Sequence, residues 1–234
     1  MCKCCQEQND KMNVLLGSPQ KRKVIVYIDG FNLYFALREK KWRGFMWLDV
    51  IKLSEKLIRS DQELVLVRYF TSRIKNDPEK QKRQTLYLDA LGTLDGNRLV
   101  IHYGDYQSIA VTCRHCNKKF QHDQEKQTDV NISVYMMSDS ISKSADGSNK
   151  VDDLILITAD SDQCPSVRAV RDFGKKVLVV LPPGRGEYIE LPRSADSRLE
   201  LTAKKFKGCR LPDVITKGDG FEIRCPSKWA NDAR

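Results

Sequence analysis

The stretch Val24-Ile25-Val26-Tyr27-Ile28-Asp29-Gly30-Phe31-Asn32 decides the fold. Residues 23–29 form one continuous apolar run rich in β-branched side chains, without polar alternation. A strand buried on both faces reads this way, and such strands belong to parallel sheets covered by helices. The run ends on a carboxylate, and a helix pattern follows from Asn32 to Glu39, interrupted near Gly44. Asp and Asn are poor residues inside buried strands. At a strand end each is either a helix cap or part of a site.

The same punctuation recurs at Leu154-Ile155-Leu156-Ile157-Thr158-Ala159-Asp160-Ser161-Asp162. Between the two runs the periodicity predicts a helix over Leu48–Ile58 and a strand over Leu64–Phe70. A helix starts at Asp77-Pro78, with Asp77 as N-cap and Pro78 in the first turn, and ends near Gly92. Leu99–Tyr103 reads as a third strand. Residues 129–141 read as a helix whose apolar Val130, Val134, Met137 and Ile141 share one face, the side an amphipathic helix buries. Asp153–Thr158 is a fourth strand, 162–173 a helix ending at Gly174, and Lys176–Leu181 a fifth strand; 194–206 reads as one more helix. Strands alternating with helices predict an α/β fold: a three-layer α/β/α sandwich around a doubly wound, mainly parallel sheet. Residues 105–127 break the pattern as a small polar, Cys-containing insertion. The chain divides into a flexible arm (1–22), a domain (23–211) that includes the insertion, and an extended tail (212–234) read as a flap ending at Trp229.

The chain has 234 residues and is 41% hydrophobic, enough for a packed core. Its net charge of +9 favours polyanionic partners, because Lys and Arg neutralise phosphates and release counterions. No apolar run approaches the ~18 residues of a spanning helix, so no membrane is expected. No apolar core follows a basic start, so no signal peptide is expected either. Eight irregularly spaced cysteines in a chain of this size fit a reducing, cytoplasmic compartment.

Each acidic residue taken alone reads as a cap. Together they say more. If the strand order reverses at the first strand, the first and fourth strands lie side by side, and their carboxyl ends bring Asp29, Asp160 and Asp162 together, where ligands of open α/β sheets bind. Asp129 opens the 129–141 helix, with Glu125 four residues before it. Asp152 and Asp153 fall at the opposite end of the sheet and are excluded. Gathered carboxylates repel one another unless a cation joins them, and a hard cation such as Mg²⁺ or Mn²⁺ takes oxygen ligands. That is the layout of a metal-dependent phosphodiester hydrolase. An aspartyl phosphatase would need a second Asp where Phe31 stands. A nicotinamide site would need a Gly-rich turn where only Gly30 occurs.

Ile28-Asp29-Gly30-Phe31-Asn32, the Glu125-Lys126-x-x-Asp129-Val130 segment and Thr158-Ala159-Asp160-Ser161-Asp162 resemble the NYN domain, a branch of the PIN-like nucleases. The three segments stand in the family's order and spacing, and Arg68-Tyr69-Phe70-Thr71 also looks like its bacterial LabA-like group. The resemblance covers roughly 23–181. It implies a Mg²⁺- or Mn²⁺-dependent ribonuclease, with Asp29, Asp129, Asp160 and Asp162 as the acidic metal site. Asn32 would hold that site or the scissile phosphate, and Lys126 and Arg73 would contact phosphates. The rival is an RNA-binding or regulatory module that keeps the fold and does not cleave. A homodimer is left open.

The insertion carries Cys113-Arg114-His115-Cys116 and Lys118-Lys119. A structural zinc with Cys113, Cys116 and His122 as ligands would order it, with Cys209 or Cys225 as a candidate fourth; the alternative is a loop with two free thiols. The insertion is expected to protrude as a hairpin just before the helix that carries Asp129, with Lys118 and Lys119 toward the RNA. Trp42, Trp47, Tyr103 and Tyr106 are candidates for stacking on bases, against an ordinary half-buried role for each.

Overall fold

The computed structural model describes residues 20–75, 77–112 and 114–230, with the backbone alone at 106–109 and 120–125. In chain order the elements are β1 (Arg22–Asp29), α1 (Gly30–Glu39), α2 (Val50–Glu55), β2 (Gln62–Ser72), α3 (Pro78–Leu91), β3 (Leu99–Thr112), β4 (Lys119–Lys126) and α4 (Thr128–Ile141). They continue with β5 (Asp153–Ile157), α5 (Cys164–Asp172), β6 (Lys176–Leu181), α6 (Glu190–Ser194), β7 (Ser197–Glu200), α7 (Ala203–Phe206), β8 (Val214–Thr216) and β9 (Glu222–Arg224).

β1 lies at the centre of a sheet ordered β4-β3-β2-β1-β5-β6-β7. Every neighbouring pair is parallel except β3 with β4. Val24 to Ile28 are fully buried, and alternate side chains enter opposite layers. Val24, Val26 and Ile28 pack with Leu33, Leu53, Leu88 and Leu91 from α1, α2 and α3. Ile25 and Tyr27 pack with Ile132, Met136, Val167 and Val170 from α4 and α5. Two apolar layers flank one sheet, which is the expected three-layer, mainly parallel α/β architecture. The chain winds outward from β1 through β2 and β3, then crosses to β5 on the other side of β1. The strand order therefore reverses between β1 and β5.

The expected 194–206 helix is instead the short edge strand β7 followed by the single turn α7. β7 pairs parallel with β6 from Leu178↔Ser197 to Leu181↔Glu200, and of its four residues only Leu199 is partly buried. β3 also runs on to Thr112, past the end of its pairing with β2 at Ser72↔Gly104, and folds back as β4. The insertion is thus a hairpin arm on the sheet edge. Its return to α4 demands glycine at 104. A Cβ there would stand 2.7 Å from Lys126 O, Ser72 Oγ and Thr128 Oγ1. After Pro212 the tail forms the β8–β9 hairpin and seats Trp229 edge-on against Tyr34 and Tyr87.

α4 turns largely away from its expected apolar stripe, of which only Met137 packs against the core. Val130, Val134 and Ile141 are 64%, 52% and 64% exposed, while Thr128, Ile132, Met136, Asp139 and Ser140 are buried. The cause is an interior ion pair. Asp139 accepts two hydrogen bonds from Arg68 (2.7 and 2.9 Å), one from Tyr27 OH (2.8 Å), and pairs with Lys150 (2.6 Å). Burial alone would raise the Asp139 carboxyl, but the Arg68 and Lys150 contacts hold it below the usual carboxylate value. Arg68 also reaches His102 Nε2 (3.0 Å) and lies over the Tyr135 ring. Burial, then the Arg68 charge, push His102 down to about 4, so at neutral pH it is uncharged and accepts from Arg68. A fully partnered set of polar groups therefore decides which face of α4 meets the sheet.

Candidate active site

The carboxyl edges of β1 and β5 are laced by side chains. Asp29 is buried and caps α1: its Oδ1 accepts from Asn32 N (2.9 Å) and its Oδ2 from Thr158 Oγ1 (3.0 Å). Asn32 reaches the other way, its Oδ1 accepting from Ala159 N (3.1 Å). The Thr158 hydroxyl in turn accepts from Asp160 N (3.2 Å), so one buried hydroxyl joins the two acidic segments. Asp160 caps the turn Ser161–Gln163, with Oδ1 accepting from Asp162 N (2.9 Å). Gly30 is fixed by proximity: a Cβ would stand 2.6 Å from the Tyr69 ring and 2.7 Å from Phe70 O. No larger residue lets β2 lie against the start of α1.

Asp129 enters from α4, whose chain arrives through Gln127 in the left-handed region (φ 73°). The link to β5 is Gln163, which is buried. Its Nε2 donates to Asp129 O (3.0 Å), and its Oε1 accepts from Ser133 Oγ (3.1 Å) and Ser166 Oγ (3.0 Å). Sequence reasoning missed Gln163. The only signal was a polar residue directly after the Asp160-Ser161-Asp162 segment, which reads equally well as a solvated first turn.

Partial burial pushes the Asp129 carboxyl up, and the charges of Asp160 and Asp162 push it further; a Gln163 hydrogen bond opposes them. Asp129 is an exposed residue, so water screens part of this repulsion. Among the described residues no three His, Cys, Asp or Glu side chains stand close enough together to enclose a metal ion. The donor chemistry nevertheless suits a hard divalent cation: oxygen ligands only, and carboxylates whose mutual repulsion such an ion removes. Asp152 and Asp153 lie at the other end of the sheet, where Asp153 pairs with Arg22 and accepts from Gln62 (2.6 Å).

Residues 23–201 match the NYN domain. The chain belongs to this family. NYN domains are in general nucleases of PIN-like fold. A relative, 6-hydroxy-3-succinoylpyridine 3-monooxygenase HspA of Pseudomonas putida, is 25% identical over 231 residues, covering 81% of this chain and 70% of that protein. A solved structure of a protein of unknown function from Vibrio parahaemolyticus is 18% identical with a TM-score of 0.47, covering 80% of this chain and 97% of that one.

The NYN domain's expected RNA contacts divide by position. Arg73, at the end of β2, lies over the exposed Tyr103 ring at 4.9 Å and donates to its hydroxyl (3.3 Å). Lys126 is exposed at the base of the hairpin, opposite Asp105. Lys118 and Lys119 are exposed at its far end, where Lys119 pairs with Thr112. Seven strand steps separate Lys119 from Lys126, roughly 24 Å, so tip and base cannot meet the same phosphate. Trp47 is fully buried with Nε1 donating to Pro212 O (2.8 Å), and Trp42 packs on Phe45 and Phe206; the core claims both. The side chain of Tyr106 lies outside the described residues.

Cys113 and the side chains of His122 and Glu125 also lie outside the described residues. Cys116 is an exposed free thiol in the hairpin turn. Of the two tail cysteines, Cys209 is buried with Sγ donating to Lys205 O (3.4 Å) and Cys225 sits beside Arg210 (3.2 Å); burial pushes both thiols up. Among the described residues no helix is long and apolar enough to cross a membrane.

Proposed function

We propose that the acidic edge between β1 and β5 hydrolyses RNA phosphodiester bonds, with Asp29, Asp129, Asp160 and Asp162 holding Mg²⁺ or Mn²⁺. The observation that carries this reading is the Thr158 hydroxyl, which joins Asp29 to the Asp160 segment where the strand order reverses, with Gln163 tying the start of α4, and so Asp129, to the same edge. When bound, the cation polarises the scissile phosphate and makes a nucleophile of water. The chain itself supplies placement. Asn32 and Thr158 lock the β1 and β5 loops together, and Gln163 fixes the start of α4 against them. No side chain is needed as a covalent nucleophile.

Around this centre, Arg73 and Lys126 contact flanking phosphates, and Lys118 and Lys119 reach a more distant part of the RNA. Cys113, Cys116 and His122 hold a structural zinc that orders the hairpin. A second copy of the chain covers the exposed Val130, Val134 and Ile141 of α4. The setting is the cytoplasm.

A second reading follows from the Pseudomonas relative, whose name makes it a monooxygenase of a substituted pyridine. Here it would need a seat for such a ring. The aromatic cleft beside Gly30, walled by Tyr34, Tyr69, Tyr87 and Trp229, opens only about 40 Å³, room for about three waters. The deciding assay incubates single-stranded and hairpin RNA with the protein in Mn²⁺, Mg²⁺ or EDTA. Cleavage in metal, absent in EDTA and in Asp160→Asn, supports the hydrolase. Intact RNA under all conditions removes it and leaves the non-cleaving RNA-binding module or the oxidative reading.

A further inference from the structure

The exposed face of α5 is basic, and it begins at the acidic edge. One open groove of about 630 Å³ is lined by Ser161 and Asp162 together with Arg168 and Arg193. A second, of about 520 Å³, is lined by Arg168, Arg171, Lys175 and Lys176. Arg168 borders both, so the two form one track that leaves Asp162 and follows α5 toward the start of β6. Five cations line it, against Asp162 at its acidic end and Glu190, Asp172 and Asp196 along it.

These cations are not equivalent. Arg171 is committed to the fold: it pairs with Asp196 (3.1 Å) and donates to Ser194 O (2.8 Å). Among the described residues Arg168 and Arg193 have no such ion pair, and both are exposed. Lys175 is largely buried at the groove wall. Burial, and after it the nearby Lys143 and Arg22 charges, hold its ammonium below the ordinary lysine value, with Asp152 opposing them. An anion entering the second groove would relieve that strain. Length fits a polymer: α5 has nine residues, hence roughly 14 Å, longer than a single phosphate group can span.

We propose that this track carries the single-stranded RNA away from the acidic edge, with successive phosphates on Arg193, Arg168 and Lys175. The inference rests on the ribonuclease reading for the identity of the polymer. It adds a strand path on the β6 side of the sheet, opposite the hairpin lysines. The occupant is a polyanion chain rather than a small anion, because the cations are spread along two joined grooves rather than focused on one point.

The test is anisotropy of labelled single-stranded RNA in EDTA over a salt series, which reads binding without cleavage. For single strands each lost phosphate contact removes about 0.7 from the slope of log K against log salt. Arg168→Gln should therefore lower the slope's magnitude by about 0.7, and Arg168→Gln with Arg193→Gln by about 1.4. Both residues are exposed, so the fold is kept, and circular dichroism verifies it. A slope unmoved by either change overturns the track, as does wild-type protein that does not bind RNA. Cleavage in Mn²⁺ is scored separately. RNA that is cut while the slope ignores Arg168 removes the track alone. RNA bound with the predicted slopes and never cut removes the hydrolase reading alone.

Discussion

Replacing Gln163 with leucine separates positioning from chemistry. The side chain is buried and nearly matched in volume by leucine, so the change removes polar contacts and leaves little cavity. Three hydrogen bonds disappear: to Asp129 O, from Ser133 Oγ and from Ser166 Oγ. Ser166 keeps the Gln163 backbone carbonyl at 2.9 Å, so two contacts are lost outright. At about 1 kcal/mol each, more where a buried group is left unpaired, the cost is about 2–3 kcal/mol. For a chain of this size that lowers Tm by about 5–10 °C. The same loss frees the first turn of α4 from β5. A displacement near 1 Å at a catalytic group costs on the order of 10²-fold in rate. Thermal unfolding and Mn²⁺-dependent RNA cleavage, assayed well below both midpoints, are the two readouts. Ser133→Ala is the control: it removes one of the three contacts and leaves Asp129 anchored, so it should lose about 1 kcal/mol and keep its activity. If Gln163→Leu loses the predicted stability yet cleaves at the wild-type rate, Gln163 does not position Asp129 for catalysis.

Three further outcomes follow from the same contacts. His102 has a folded value of about 4 against an ordinary 6.5, so the folded state binds fewer protons between them; stability is intact above 6.5 and falls as pH drops toward 4, by at most about 3 kcal/mol. Urea unfolding across that window should show this slope, and His102→Gln should flatten it. Asp129 has the opposite sign: its raised carboxyl penalises the folded state above its own titration and not below the unfolded value, so Asp129→Asn should raise Tm at neutral pH in EDTA and lose that gain in acid; an equal or lower Tm at neutral pH would contradict the repulsion. Zinc analysis of protein purified without chelator should give about one ion per chain if Cys113, Cys116 and His122 hold one, and less than about 0.2 leaves free thiols.

The buried centre was legible because its strands have one environment. Residues 23–29 and 153–158 face helices on both sides, and only apolar runs fit there. Their carboxyl ends could then be named before the strand order was known, and the reversal at β1 brought Asp29 and Asp160 to one hydroxyl. What failed was wherever polar groups are buried with partners. The inner face of α4 carries Asp139, Ser140 and Thr128, so periodicity pointed to the exposed Val130, Val134 and Ile141 instead. Asp139 becomes an interior residue only because Arg68, Tyr27 and Lys150 meet it, and none of those contacts is local in sequence. Gln163 was hidden for the same reason. β7 was missed because a short, mostly exposed edge strand has neither an apolar run nor a clean alternation.

The most direct test of the acidic site is a crystal soaked in Mn²⁺, with anomalous scattering measured at the manganese edge. The predicted result is a peak bound by Asp160 together with Asp29 or Asp129, reduced or abolished in Asp160→Asn crystals that keep the same fold. A peak elsewhere, or none at that edge of the sheet while the protein still cleaves RNA, would contradict the assignment of these carboxylates as the metal site.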